Sequence, residues 1–426
     1  MDVSVGRSVG RTPEPTPSAQ AALGRRALLA TLAAWGCAPG LASAATRTAV
    51  SPPTHADDPG AAHEGHAHGP TAPAGLDTAL RERLLAEGEA ALLAGNPRAA
   101  GDAFQTAAMM LHAADSEMGL ARAAAQDGGF QRALVMASHT AGAHRDTPGA
   151  AALYAWMLAA SGQQPYADRM LAETLLRVPG HPLLLSTREA LAASWPALPS
   201  PALLATPHRV APQAVALDGQ LPPATAQGHG TGVLLASGTQ ALVPWLHSEA
   251  PAATAALWVR NGLGESVRAQ WRHWAPTLGL ALLDLPHALP ASAAALLAPS
   301  DAFAGSAGHV LQLPPAAPAV PAWPTLFQGF IGGPLAASSA WRGLLFELPA
   351  ATQGAPLWDA SARCTGMVVQ RGTTPAGWWP LSALTAVFGD ALRAAPLAPG
   401  TPAPRRGAPA DVHERAMPSV LQLLSA

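Results

Sequence analysis

Apolar positions along the chain follow two different periods. From Leu76 they recur with the 3.6-residue spacing of amphipathic helices. Farther along they form short runs separated by turn residues, which is typical of β-strands. This change predicts an α + β multidomain protein with a helical region over 76–195 and an all-β region over 213–395. A Pro-rich joint over 196–212 separates the two.

The helical region has an internal repeat. Turn glycines fall at Gly95, Gly128 and Gly162, 33 and then 34 residues apart. Small or apolar residues recur at fixed distances from each glycine, because two antiparallel helices can approach closely only where side chains are small. The predicted packing positions are Gly88, Ala100, Phe104, Ala121, Ala133, Ala155 and Ala167.

This register resembles the tetratricopeptide repeat over three units. His112 and Arg145 stand where the family has Pro at the ends of the first two units. The resemblance implies a surface that binds peptides or partner proteins. The alternative is a helical spacer that only stabilises its neighbour.

Ten short apolar runs predict the strands of an all-β barrel or sandwich, and 388–392 a closing helix. The runs cover residues 232–235, 241–244, 255–260, 266–271, 280–284, 308–313, 325–331, 342–348, 356–358 and 365–370.

Five segments of this region resemble trypsin-like serine proteases of the periplasmic heat-shock type. GTGVLL at 230–235 and ALVPWLH at 241–247 resemble the two opening strands, the second of which carries the catalytic His in that family. GLALL at 279–283 resembles the segment with the triad Asp, and QGAPLW at 353–358 the segment around the nucleophile. RCTGMV at 363–368 resembles the strand that follows it. The resemblance implies a trypsin-like double β-barrel.

The triad itself is incomplete. A serine hydrolase needs a nucleophile, a base and a carboxylate that orients the base. The family His is kept at His247, but Gly279 and Gln353 stand at the Asp and Ser positions. We therefore expect an inactive domain in which His247 is a packed or surface imidazole. A residual ligand-binding or acid–base role of His247 is the alternative. The alternative is an active serine endopeptidase with His247 as general base and a nucleophile in a shifted register, such as Thr352 or Ser361.

Trp378 and Trp379 precede a Pro and are candidates for an exposed pair that contacts a partner. Trp side chains are common at binding hot spots. Filling of the protein core is the alternative.

The N-terminus has the organisation of an export signal. Residues 1–44 combine a polar start that ends in Arg25-Arg26, an apolar run and small residues before Ala44. The paired Arg resembles the twin-arginine motif, so we expect cleavage after Ala44 and a periplasmic protein. The apolar run is too short to span a bilayer. Lipid anchoring at Cys37 and an uncleaved anchor are the alternatives.

A low-complexity linker over 45–75 carries a histidine cluster. His63, His66 and His68 could hold a divalent ion, but a solubilising tract that binds metal only incidentally is the preferred interpretation. No cofactor motif accompanies it.

The net charge of −2 argues against a nucleic-acid partner. The Pro- and Arg-rich segment over 396–426 is predicted to be a disordered tail, with a short amphipathic stretch over 412–424 that docks elsewhere.

Overall fold

The computed structural model of the chain describes residues 75–192, 201–235, 238–247, 249, 256–314, 320–336, 339–349, 352–370, 376–392 and 405–426. All of these residues belong to one compact unit. The predicted export signal and all but the last residue of the predicted linker lie outside them. None of the helices in the described ranges is both long and apolar enough to cross a membrane.

Seven helices open the described chain. They are α1 (Thr78–Leu93), α2 (Pro97–Met110), α3 (Ala114–Gln126), α4 (Phe130–Ala143), α5 (Pro148–Ala160), α6 (Gln164–Arg177) and α7 (Pro182–Ala192). The first six form three hairpins. Their turns contain the predicted glycines Gly95, Gly128 and Gly162, with φ of +73°, +90° and +78°, a backbone conformation that favours glycine.

The helices pack through the predicted small positions. The ring of Phe104 lies against two glycines, and an added Cβ would come within 2.7 Å of it at Gly88 and 2.5 Å at Gly119. Phe104 and Gly88 are buried, and the alanines at the other predicted positions have no exposed surface: Ala100, Ala121, Ala133, Ala155 and Ala167. The predicted residues are therefore helix-packing positions.

One side of the helical stack is covered by the chain's own later segments. Nearly every residue of α3 and α5 is buried. On α3, Arg122 Nη1 donates to the carbonyl oxygen of Pro207 at 3.0 Å, and Gln126 Oε1 accepts from the N–H of Gln213 at 3.0 Å. The short helix α8 (Pro201–Leu204) buries Leu203 in the same core. The predicted joint is thus part of the packed structure from residue 201 onward.

Thirteen strands follow in the described residues, with two α-helices between β12 and β13. They are β1 (Val215–Ala216), β2 (Gln227–Leu234), β3 (Gln240–Pro244), β4 (Leu257–Asn261), β5 (Glu265–Ala275), β6 (Leu280–Asp284), β7 (Ala307–Gln312), β8 (Thr325–Pro334), β9 (Arg342–Leu344), β10 (Gly354–Trp358), β11 (Cys364–Val369), β12 (Gly377–Pro380), α9 (Leu381–Phe388), α10 (Pro409–Ala416) and β13 (Val420–Ser425).

Twelve of these strands form two six-stranded antiparallel barrels, and β1 pairs with β5 as a parallel extension of the first. In the first barrel β2 pairs with β3, β3 with β6, β6 with β5, β5 with β4, β4 with β13, and β13 with β2. The second barrel closes in the order β10, β11, β12, β9, β8 and β7. The predicted fold class, a helical repeat region followed by a trypsin-like double barrel, is confirmed.

The C-terminal segment differs from its prediction. A tail outside the β-region was expected over 396–426, but β13 is an integral strand of the first barrel. Leu421 pairs with Gly232 on one side and Asn261 on the other, and both Leu421 and Leu423 are fully buried in the barrel core. The apolar run over 420–425 therefore pairs as a strand, and the β-region includes it. The helix α10 ends at Ala416, just before Pro418, which cannot donate the next helical hydrogen bond.

The closing helix also differs. It was expected over 388–392, but α9 ends at Phe388 and a 3₁₀ turn occupies Gly389–Leu392. Gly389 has a φ of +57°, which ends the α-helix at that residue.

Candidate functional site

The hairpin of β2 and β3 places His247 at the edge of the first barrel. β3 ends at Pro244, and the N–H of Trp245 donates to the carbonyl oxygen of Gly279 at 2.8 Å. His247 follows two residues later with an exposed ring. The backbone therefore holds the family His position beside the family Asp position.

His247 contacts a second imidazole. Its Nε2 lies 3.1 Å from Nδ1 of His229, a residue of β2, and one of these nitrogens carries the shared proton. On its other side, His229 Nε2 lies 2.6 Å from Oγ of Ser425 in β13. Burial, and next the charge of His247, lower the pKa of His229 below its ordinary value, so this ring is neutral at neutral pH.

Trp245 forms the wall of this imidazole pair. Its ring centroid lies 4.5 Å from that of His247 and 5.1 Å from that of His229. Trp271 packs edge-on against Trp245, with ring centroids 5.2 Å apart. The indole N–H of Trp245 donates to the carbonyl oxygen of Glu249 at 2.8 Å. Both imidazoles thus rest on a fixed aromatic surface.

The orienting carboxylate is absent from its family position. Gly279 lies in a turn with a φ of +69°, and its N–H donates to the carbonyl oxygen of Ala275 at 3.0 Å. The next acidic residue, Asp284, lies at the far end of β6. It accepts there from Arg272 at 3.0 Å and from Gln240 at 3.2 Å. The carboxylate of Asp284 therefore serves the opposite end of the strand from the family Asp position.

The nucleophile position lies where the two barrels meet. Gln353 is half-buried, and its Cβ is 3.2 Å from the place that a Cβ on Gly230 would occupy. Gly230 has a φ of +114° and is the first buried residue of β2. A Cβ on the neighbouring Gly354 would come within 2.7 Å of Pro244. The fold thus brings the Ser position to the same cleft as β2 and β3, but the side chain there is an amide.

The two hydroxyls considered from the sequence are not placed as nucleophiles. Thr352 is 2% exposed, and its Oγ1 donates to Oε1 of Gln312 at 3.2 Å. Ser361 is 6% exposed in a turn closed by Asp359, whose carboxylate accepts from its N–H at 2.8 Å. Both side chains are shielded from a substrate.

The contact of Ser425 with His229 was not found from the sequence. Ser425 lies in the segment interpreted as a tail, and only the pairing of β13 with β2 brings it to His229. It pairs with Gln227 on one side and Leu257 on the other, so its backbone is part of the sheet. A nucleophile usually sits on a sharp turn with free N–H groups nearby. Ser425 has a ladder position instead.

The prediction of an exposed Trp pair was wrong. Trp378 has no exposed surface, and its indole N–H donates to the carbonyl oxygen of Gly343 at 3.1 Å. Trp379 is half-buried and donates to the carbonyl oxygen of Leu278 at 3.1 Å. Both residues lie in β12, between β11 and β9, so they fill the barrel core and its edge.

The linker histidines His63, His66 and His68, like Cys37, lie outside the described residues. Cys364 is buried in β11, and burial raises the pKa of its thiol to about 12, which keeps it protonated.

No family model and no curated protein matches the chain. Solved structures resemble parts of it. PcrH, solved in complex with the chaperone binding region of PopB, is 22% identical and matches 28% of this chain and 97% of its own, with a TM-score of 0.25. The Rv3671c protease in its inactive form is 17% identical over 40% of this chain and 89% of its own, with a TM-score of 0.29. The apo MamO protease domain from Magnetospirillum magneticum is 17% identical over 40% of this chain and 98% of its own, with a TM-score of 0.28.

With TM-scores this low, the fold assignment rests on the helix pairing and strand order described above. The chain has a tetratricopeptide-like helical stack followed by a trypsin-like double barrel. At the three triad positions this barrel carries a His, a Gly and a Gln.

Proposed function

We propose that the protein is a non-enzymatic scaffold that binds a partner protein or peptide through its helical stack and retains the double barrel as an inactive folded module. The observation that carries the proposal is the cleft where the barrels meet. The amide of Gln353 occupies the nucleophile position, and Gly279 supplies no carboxylate to orient His247. Loss of the nucleophile alone costs about 10⁶-fold in triad enzymes.

The outer side of the helical stack is the surface available to a partner. The sides of α3 and α5 already contact the chain's own segments, whereas α2 and α4 keep exposed apolar side chains. Met109 is 73% exposed and Val135 is 70% exposed. They line a groove of about 480 Å³ whose apolar floor includes Leu120 and Met136. A groove of this kind suits a peptide segment that presents apolar side chains.

A crosslinking experiment tests this role. The full chain with a photoactivatable residue at Gln105, which also lines the groove, is exposed to an extract of the source cells, and crosslinked partners are identified. The double variant Met109→Asp/Val135→Asp should lose the crosslink, because two carboxylates would oppose burial of apolar side chains. The matched control is Phe303→Asp/Leu345→Asp, two exposed apolar residues of the β-region that should leave it unchanged. Two outcomes contradict the proposal. One is that the Met109→Asp/Val135→Asp variant crosslinks as much as the unsubstituted chain, and the other is that the unsubstituted chain does not crosslink at all.

A second candidate function is a serine-type peptidase, and the contact of Ser425 with His229 favours it. Ser425 would be the nucleophile, His229 the base and His247 the group that orients it. The paired backbone of Ser425 speaks against it. If a peptide library is hydrolysed by the full chain and not by Ser425→Ala, this function replaces the scaffold. If hydrolysis is absent, or unchanged in Ser425→Ala, it is excluded.

We also propose that the protein is exported to the periplasm, with cleavage after Ala44. The sequence of residues 1–44 supports this. N-terminal sequencing of the mature protein from fractionated cells tests it, and an N-terminus before residue 37 or at Cys37 would contradict it.

A further inference from the structure

Three imidazoles surround a buried carboxylate at one end of the helical stack. Glu117 lies in the first turn of α3, and His112 lies in the turn before it. His139 is on α4, and His144 caps its C-terminus. His112 Nε2 is 2.7 Å from Glu117 Oε1, His144 Nε2 is 3.5 Å from Oε2, and His139 Nε2 is 3.9 Å from Oε1. All four side chains thus lie at the open end of the α3–α4 hairpin.

The interior of this cluster lacks hydrogen bonds that its buried atoms require. Glu117 is 8% exposed, yet its Oε2 has no hydrogen-bond partner, and neither has Nε2 of His144. These two atoms face each other, but their separation of 3.5 Å and their alignment do not make a hydrogen bond. Leaving a buried charged oxygen unpaired costs about 1–3 kcal/mol or more. A cation between the two atoms would satisfy both.

The geometry fits a small divalent ion. The ligand atoms of His112, Glu117 and His144 all lie within 4.8 Å of one another. A tetrahedral zinc site with bonds of about 2.0–2.1 Å places its ligand atoms about 3.4 Å apart. The measured separations of 2.7 Å and 3.5 Å lie on either side of that value. The His112 ring is 64% exposed and can shift by the remaining distance.

We propose that His112, Glu117 and His144 form a zinc site, with His139 as the fourth ligand or a solvent molecule in its place. Imidazole nitrogen and carboxylate oxygen are both ordinary zinc ligands, and three protein ligands leave the fourth tetrahedral position for His139 or solvent. The exposed sides of His112 and His139 leave a path for the ion, and the buried Glu117 and the half-buried His144 supply its inner ligands. The site closes the open end of the α3–α4 hairpin and includes one residue of the connection from α2.

The sequence gives this site a place in the repeat. His112 replaces the Pro that the tetratricopeptide register expects at the end of the first unit, and His144 directly precedes Arg145, the equivalent position of the second unit. A Pro at either place would only end the helix. A ligand there can instead clamp neighbouring units. The proposed site uses none of the linker histidines His63, His66 and His68.

Calorimetric titration with ZnCl₂ tests the proposal. The full chain carries His63→Ala/His66→Ala/His68→Ala, which removes the histidine cluster of the linker. We expect one zinc per chain and a higher melting temperature, since an ion that binds the folded state stabilises it. His144→Ala and Glu117→Gln, each in that background, should weaken binding at least about tenfold. His287→Ala, an exposed histidine of the β-region, is the matched control and should leave the affinity unchanged.

Two results would overturn the site. One is the absence of zinc uptake by the linker-substituted chain. The other is an unchanged affinity in both His144→Ala and His112→Ala. Because Glu117 is buried and its variant could fail to fold, His112→Ala, whose ring is mostly exposed, keeps the test decisive. Cobalt substitution gives an independent readout: intense visible absorption of a tetrahedral ion is expected, and the weak spectrum of an octahedral one would contradict the ligand set.

Discussion

The two barrels have the same number of strands but differ in how they close. The second barrel is built from consecutive strands, β7 to β12, so it is complete within residues 307–380. The first barrel takes five consecutive strands, β2 to β6, and then β13 from the end of the chain. The strand that completes the first barrel therefore follows the whole second barrel in the sequence.

This difference concerns the cleft directly. The first barrel carries His247 and His229, and β13 supplies Ser425, the hydroxyl that His229 contacts. The second barrel carries Gln353 at the nucleophile position. The only hydroxyl that touches the imidazole pair among the described hydrogen bonds thus comes from the strand that closes the barrel, and its bond to His229 ties β13 to β2.

Removal of residues 420–426 should have the largest effect. Without β13 the edges of β2 and β4 are unpaired and the apolar cores around Leu421 and Leu423 open to water. We expect loss of cooperative unfolding of the first barrel, measured by near-UV circular dichroism of its Trp residues. Deletion of the exposed Ala426 alone is the control and should keep the transition. A truncated chain with the melting temperature of the full one would contradict the role of β13.

Single core substitutions should sharpen the comparison. Leu423 in β13 and Leu357 in β10 are both fully buried, so Leu423→Ala and Leu357→Ala should each cost about 2–5 kcal/mol in denaturant unfolding. Only Leu423→Ala should also release the C-terminal residues to carboxypeptidase, because β13 alone ends the chain. Leu345→Ala, at a residue 67% exposed, should cost less than about 0.5 kcal/mol. Equal carboxypeptidase sensitivity of the two core variants would break the comparison.

Acid should weaken the packing of α10, the helix that precedes β13, against the rest of the molecule. His413 of α10 is fully buried, its Nε2 lies 2.8 Å from the carbonyl oxygen of Pro324, and its ring packs on Phe130 of α4. Burial lowers the pKa of His413 from 6.5 to about 4. Between these values the unfolded chain binds more protons than the folded one, so the stability present above pH 6.5 falls as the pH approaches 4, by about 3 kcal/mol at most.

His413→Gln should therefore make the free energy of unfolding less dependent on pH between 6.5 and 4. Burial also lowers the pKa values of His208, His229 and His309, so part of the slope will remain. Denaturant unfolding at a series of pH values measures the difference. A slope identical to that of the unsubstituted chain would mean that His413 titrates as it does in the unfolded chain.

Features set by neighbouring residues were predictable from the sequence. The helical hairpins follow from turn glycines such as Gly128 and from small packing positions within each hairpin. The strands from β2 to β11 follow from short apolar runs between turn residues. The sequence pattern could not show that β13 belongs to the first barrel, because its partners β2 and β4 lie far away along the chain. Trp378 and Trp379 were misjudged for a related reason: their burial depends on the pairing of β12 with β9 and β11.

The site was predictable to the same extent. His247, Gly279 and Gln353 could be placed because each stands in a recognisable local segment. The bond between His229 and Ser425 could not, since it needs β13 beside β2. The cluster around Glu117 could not either, because its histidines lie more than 20 residues apart, before α3 and at the end of α4, and meet only when these two helices pair.

Reaction of the purified full chain with a fluorophosphonate, followed by intact-protein mass spectrometry, tests the central claim that the double barrel is inactive. With an amide at residue 353 and no orienting carboxylate at residue 279, we expect no hydroxyl to be activated, and the mass should remain that of the unmodified chain. An adduct at stoichiometric level that disappears in His247→Ala or Ser425→Ala would contradict the claim and identify the domain as a working hydrolase.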